Sequence, residues 1–118
     1  MALHNQLGRQ GEEMARLYLE EHGYQILHQN WRHSHYEIDI IAQKNGVLHI
    51  VEVKIRSSRS FGYPEENVTK KKFKALLHAA DEFLFQHQQY RHVQYDILSI
   101  STNRNALPEY FLIEDVYL

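Results

Sequence analysis

The dipeptide Asn45-Gly46 limits the folds open to this chain more than any other feature. Asn-Gly favours a two-residue type I′ turn, and it is flanked by β-rich runs, Tyr-Glu-Ile-Asp-Ile-Ile-Ala-Gln over 36–43 and Val-Leu-His-Ile-Val-Glu-Val-Lys-Ile over 47–55. The expected hairpin sets Lys44 opposite Val47, Ile41 opposite Ile50, Asp39 opposite Glu52 and Glu37 opposite Lys54. Opposed residues share a face, so Asp39 and Glu52 would have Cβ atoms roughly 5 Å apart. Such a like-charge pair costs on the order of 1 kcal/mol unless a cation lies between. A divalent metal supplies that cation.

The two faces of the hairpin differ. Tyr36, Ile38, Ile40 and Ala42 alternate onto the side shared with Val51, Val53 and Ile55, an apolar surface that calls for a helix layer. The other side is apolar near the turn, through Ile41, Leu48 and Ile50, and becomes Glu37, Asp39, Glu52 and Lys54 away from it. That pattern reads as a cleft cut into a buried sheet.

The 118 residues fit a single domain spanning 1–118, large enough to fold without staples. The absence of cysteine excludes disulfides, thiolate metal sites and a cysteine nucleophile, and fits a reducing compartment. No apolar run has the length of a signal-peptide core or a membrane span, so a cytoplasmic protein is expected. The net charge of −2 argues mildly against a nucleic-acid binder, but the distribution reverses that reading. Lys54, Arg56, Arg59, Lys70, Lys71, Lys72 and Lys74 crowd one stretch, so one side of the molecule can be basic.

Residues 5–22 read as an amphipathic helix with Leu7, Gly11, Met14, Ala15, Tyr18 and Leu19 on one face, and Gly23 suits a left-handed stop. A strand is expected over 24–30, the hairpin strands over 36–43 and 47–56, a second helix over 69–89 and a fourth strand over 93–101. Residues 110–113 suit a fifth strand or a short helix. The strand, helix, strand run from 47 to 101 is long enough for a right-handed crossover, which predicts an α/β fold with a mixed sheet flanked by helices.

Asp39 with Glu52-Val53-Lys54 sets two carboxylates and an ammonium group close together, a sufficient protein contribution for magnesium, which keeps several waters. The plain alternative is an exposed sheet face with a Glu37–Lys54 ion pair. Glu12 borders the apolar face of the first helix among Gly8, Gly11 and Ala15, where it either leans into the cleft or is simply solvated. Lys70, Lys71, Lys72 and Lys74 lie at the start of the second helix, where the macrodipole disfavours cations by about 0.3–1 kcal/mol each. A docked phosphate backbone offsets this; so, in part, would Glu65 and Glu66. His33, His35, Glu37 and Asp39 would share one face if the strand began early, giving a zinc or manganese alternative.

Gly8-Arg9-Gln10-Gly11-Glu12-Glu13-Met14-Ala15, Asn30-x-Arg32, Glu37-Ile38-Asp39-Ile40-Ile41-Ala42, Val51-Glu52-Val53-Lys54-x-Arg56, Val68 with the lysine run, and Asp96 together resemble the bacterial YraN-like family of uncharacterised proteins. That family is similar to archaeal Holliday-junction resolvases within the restriction-endonuclease-like superfamily, known by its PD-(D/E)xK signature. The resemblance implies a three-layer restriction-endonuclease-like core and metal-dependent attack on phosphodiesters. By the same resemblance Asp39 and Glu52 match the metal ligands, Lys54 the signature lysine and Glu12 the helix-borne acid of the resolvase-like branch. Tyr36 stands where Gly commonly precedes Glu-Ile-Asp, and the signature's proline is absent.

The expectation is therefore an Mg²⁺- or Mn²⁺-dependent endonuclease acting on DNA, with branched, Holliday-junction-like DNA as one substrate class. Asp39, Glu52, Lys54 and Glu12 carry the chemistry, and Arg56, Arg59 and Lys70 to Lys74 hold the backbone. A junction substrate would call for a two-fold homodimer. The competing expectation is a catalytically inactive nucleic-acid- or protein-binding module with the same fold.

Overall fold

The computed structural model describes residues 2–57, 69–103 and 106–116. In chain order the elements are α1 (Ala2–Glu21), β1 (Gln25–His33), β2 (Tyr36–Lys44), β3 (Val47–Ser57), α2 (Lys70–Gln86), β4 (Val93–Asn103) and β5 (Ala106–Ile113). The five strands form one sheet in the order β1-β2-β3-β4-β5, with β3 and β4 parallel across α2 and the other neighbours antiparallel. This is the mixed α/β sheet expected from the strand and helix spacing. The segment around 110–113 is the end of a full edge strand. The first helix begins earlier than its periodicity indicated, β1 runs on to His33, and α2 stops at Gln86.

Local chemistry explains these limits. The Tyr24 N–H donates to the Leu19 carbonyl and the Gly23 N–H to the Glu20 carbonyl, with Gly23 at φ +88. That pair of bonds is the glycine stop that satisfies the last helical carbonyls. Asn45 and Gly46 both take positive φ (+53 and +79), as a type I′ turn requires. At the start of α2 the Thr69 hydroxyl accepts from the Lys72 N–H at 3.2 Å.

Each helix covers its own face of the sheet. Ala15 and Leu19 of α1 pack with Tyr24, Ile40, Ala42, Val51, Leu98 and Ile100. Phe73, Leu76, Ala79, Ala80 and Phe83 of α2 pack with Ile38, Ile41, Leu48, Ile50, Ile97 and Val116. Each of the fully buried large aliphatic side chains contributes roughly 1.5–3 kcal/mol.

One expectation fails here. Ile38 and Ile40 were expected on one side, but Ile38 packs under α2 and Ile40 under α1. Two strand residues that should share a face lie on opposite faces, so the pleat of β2 reverses around Asp39. The reversal has a counterpart in β1. The pairs Gln29–Ile40 and Trp31–Ile38 leave Asn30 opposite Asp39, and Asn30 takes φ +53 within the strand. Asn is among the few side chains that accept this left-handed conformation, and it lets β1 turn over in step with β2.

At the other end of the sheet lies a buried polar knot. His49 Nδ1 and Asp96 Oδ2 are 2.7 Å apart, and Asp96 Oδ1 accepts from Gln94 Nε2 at 2.9 Å and from the Asp115 N–H at 3.0 Å. The Val116 N–H donates to the Tyr95 carbonyl at 2.7 Å. Together these bonds clamp the segment after β5 against β4.

Candidate functional site

The hairpin register holds for the five pairs Lys44–Val47, Gln43–Leu48, Ala42–His49, Ile41–Ile50 and Ile40–Val51, and the described ladder ends there. It stops one position short of Asp39 and Glu52. Beyond it the Asp39 carboxylate takes over a backbone role: Oδ2 accepts from the Val53 N–H at 2.9 Å. The expected facing pairs Asp39–Glu52 and Glu37–Lys54 are thus not formed as ladder pairs, because the reversed pleat ends regular pairing. Their side chains nevertheless remain neighbours.

Asp39 is the electrostatic focus. Its carboxyl is pushed up to about 7, first by burial, then by the charge of Glu52, against the opposing Val53 hydrogen bond, and further by Glu37 and Glu12. The acids come from three elements, α1, β2 and β3. Glu12 belongs to α1, and its Oε2 accepts from Asn30 Nδ2 at 3.0 Å. Helix α1 approaches β3 closely at Gly11, where an added Cβ would lie 1.7 Å from Ile55 Cδ1. The glycine therefore sets how near Glu12 sits to the sheet.

Glu52 and Lys54 project to the α2 side. Lys54 Nζ lies 3.4 Å from Glu52 Oε1, while Glu37 is met by Arg32 Nη2 at 3.5 Å. The expected Glu37–Lys54 ion pair is thus replaced by two others, since residues two apart on β3 already share a face. These groups open into a cleft of about 210 Å³ between the sheet and the start of α2, with His35, Tyr36, Lys72 and Leu76 on its walls.

The remaining basic residues divide. Lys70, Lys71, Lys72 and Lys74 are exposed on the first turns of α2, and Arg56 lies two residues beyond Lys54 on β3, beside Ser101 of β4. Arg59 lies outside the described residues, as do Glu65, Glu66 and Val68. The histidine alternative loses its geometry: Ser34 and His35 form the turn between β1 and β2, so His33 belongs to another strand, 3.6 Å from Glu82 of α2. Among the described residues, no three His, Asp or Glu side chains are gathered into a ready cation site.

Sequence reasoning missed Asn30 as a member of the candidate site. Its Oδ1 is a buried oxygen with no hydrogen-bond partner, beside the carboxylate that its own amide holds. An Asn inside a β-rich run was the available signal, because Asn is depleted in strands and tolerates positive φ.

Fold and site together define a small α/β domain with a cluster of carboxylates and one lysine at a break in its central hairpin. The chain belongs to the uncharacterised protein family UPF0102, whose sequence pattern matches residues 11–100. It is 49% identical over 100 residues to a UPF0102 protein of Bacteroides thetaiotaomicron, covering 85% of this chain and 83% of that one. It is 44% identical to a UPF0102 protein of Parabacteroides distasonis (98% and 93% covered) and 37% identical to one of Flavobacterium johnsoniae (99% and 98%). No helix among the described residues is long and apolar enough to cross a membrane.

Proposed function

We propose that the protein is a metal-dependent endonuclease of restriction-endonuclease-like fold that hydrolyses phosphodiesters in DNA, including branched, Holliday-junction-like DNA. The observation that carries this reading is a half-buried Asp39 with Glu52, Glu37 and Glu12 near enough to push its carboxyl up, and with Lys54 beside Glu52. Carboxylates drawn together without a matching number of cations leave negative charge uncompensated, and hard oxygen donors of this kind suit Mg²⁺ or Mn²⁺. The orphaned Asn30 Oδ1 adds a further oxygen to that donor set.

In this mechanism Asp39 and Glu52 hold the ion. The chemistry such an ion would supply there is polarisation of a phosphoryl oxygen and acidification of a water. Lys54 orients the attacking water or offsets charge growing on the phosphate. Glu12, held by Asn30, completes the acidic surroundings. Arg56, Arg59 and the lysines of α2 grip the DNA backbone, and the cytoplasm is the compartment where such a substrate is met. A junction substrate would be cut by a homodimer with two-fold symmetry.

The test is cleavage of linear, flap and four-way DNA with Mg²⁺ or Mn²⁺. The expected result is metal-dependent cutting that replacement of Lys54 by Ala removes while DNA affinity stays nearly intact. Replacing Lys70, Lys71 and Lys72 together should weaken binding to every sequence and flatten its salt dependence. The second reading is a non-catalytic nucleic-acid- or protein-binding module, favoured by the engagement of Lys54 with Glu52. DNA binding without cleavage of any substrate under either metal would establish that reading instead.

A further inference from the structure

The cleft between β2, β3 and α2 has features that the hydrolytic chemistry does not use. One wall is aromatic: the rings of His35 and Tyr36 lie 4.2 Å apart, and Tyr36 is backed by His78 of α2 at 5.8 Å and 24°. Ala75 and Leu76 add an aliphatic part of the lining, and Lys54 and Lys72 line the same space. Glu37 and Glu52 line the same space, and both lie near enough to Asp39 for their charges to act on its carboxyl.

The geometry points to a binding site for one unpaired nucleotide next to the scissile phosphate, its base against the His35–Tyr36 wall and its phosphate toward Lys72. This rests on the nuclease reading and adds a substrate requirement to it. A cleft of about 210 Å³ lined by aromatic and aliphatic side chains has room for one flat ring rather than a stacked base pair. Bases without a pairing partner stack on aromatic side chains with little sequence preference, and the carboxylate of Glu37 offers acceptors for exocyclic amino groups. Lys72, at the N-terminal end of α2, adds its charge to the helix end that attracts phosphate.

The experiment uses the full chain carrying Asp39→Asn, so that bound DNA stays uncut, and two duplexes that differ only in one unpaired 2-aminopurine nucleotide. The expected result is quenching of the 2-aminopurine emission and binding roughly ten-fold tighter than to the fully paired duplex, the size of one base stack. Tyr36→Ala should remove the preference while leaving affinity for the paired duplex unchanged, and Tyr36→Phe should keep it. Because Tyr36 also packs on the α2 core, His35→Ala in the exposed turn gives an independent arm, expected to reduce the preference several-fold at an unchanged melting temperature. Equal affinity for the two duplexes, or a preference that survives both Tyr36→Ala and His35→Ala, overturns the assignment. A parent that cuts DNA but shows no such preference loses only this inference; one that neither binds nor cuts any DNA removes the nuclease reading as well.

Discussion

Asp96 is buried and Asp39 half-buried in the same sheet, and they are treated in opposite ways. Asp96 is 1% exposed and meets His49, the Gln94 amide and the Asp115 N–H. Asp39 has one donor among the described contacts, the Val53 N–H, and three acidic neighbours in Glu52, Glu37 and Glu12. A buried carboxylate ringed by donors locks strands together; one surrounded by other carboxylates weakens the fold when it is charged. The same side chain thus serves as a clamp at one end and, on the function proposed above, as a cation ligand at the other. The clamp affects its surroundings too: burial, helped by Asp96 and Glu114, pushes the Tyr24 phenol up to about 12.

The largest effects should separate the two aspartates by activity. Asp39→Asn is expected to abolish metal-dependent cleavage, whereas Asp96→Asn, assayed well below its melting point, should retain it. Equal loss from both would erase the distinction. Next in size, Asp96→Ala strands a buried His49, the Gln94 amide and a backbone N–H, and should cost about 3–5 kcal/mol in urea unfolding. A cost below about 1 kcal/mol would show that the knot does not clamp the sheet.

The opposite sign is expected at Asp39. Its carboxyl titrates at about 7 in the fold against 3.8 ordinarily, so the native state keeps a proton that the unfolded chain has lost. The group therefore weakens the fold increasingly as pH rises from 3.8 to about 7, fully above that, and not at all below 3.8. In chelator, Asp39→Asn should raise the melting temperature by several degrees at pH 8, by less at pH 5.5, and by almost nothing near pH 3.5. A gain independent of pH would assign the effect to something other than this charge. The smallest change in stability, within about 1 kcal/mol, is expected for Asn30→Gly, which suits φ +53 and removes an unpaired buried oxygen. Cleavage should nonetheless fall, because Glu12 loses its holder; an unchanged rate would remove Asn30 from the site.

The parts legible in the sequence are those set by neighbouring residues. Asn45-Gly46 dictates its own turn and hence five ladder pairs, and the 3.6-residue spacing of Phe73, Leu76, Ala80 and Phe83 gives the buried side of α2. The gathering of acids around Asp39 was also legible, since Glu52 follows on the adjoining strand. The pleat reversal was not, because it needs a left-handed Asn30 in β1 and an interrupted ladder in β2 at facing positions. No local pattern reports such a coincidence between strands. Assuming strict alternation put Ile38 on the wrong face and paired Lys54 with Glu37 in place of Glu52. His33 and His35 were separated by a turn that two polar residues disguised as strand.

The sheet's strand order, identical to the order of the strands along the chain, also has a kinetic meaning. The strands that carry Asn30, Asp39 and Glu52 are joined by the two-residue turns Ser34-His35 and Asn45-Gly46, so little chain entropy is lost in bringing them together. The β3–β4 pairing, by contrast, waits on the crossover through α2. Contacts of short sequence separation form early, so the three-strand meander should already be built in the folding transition state while the cleft wall supplied by α2 is not. Kinetic φ-values for Ile41→Val and Ile50→Val should then exceed that for Leu76→Ala, and the reverse ranking would mean that helix docking comes first. On this order of events, the strands that carry Asp39 and Glu52 are assembled before the cleft wall that α2 supplies.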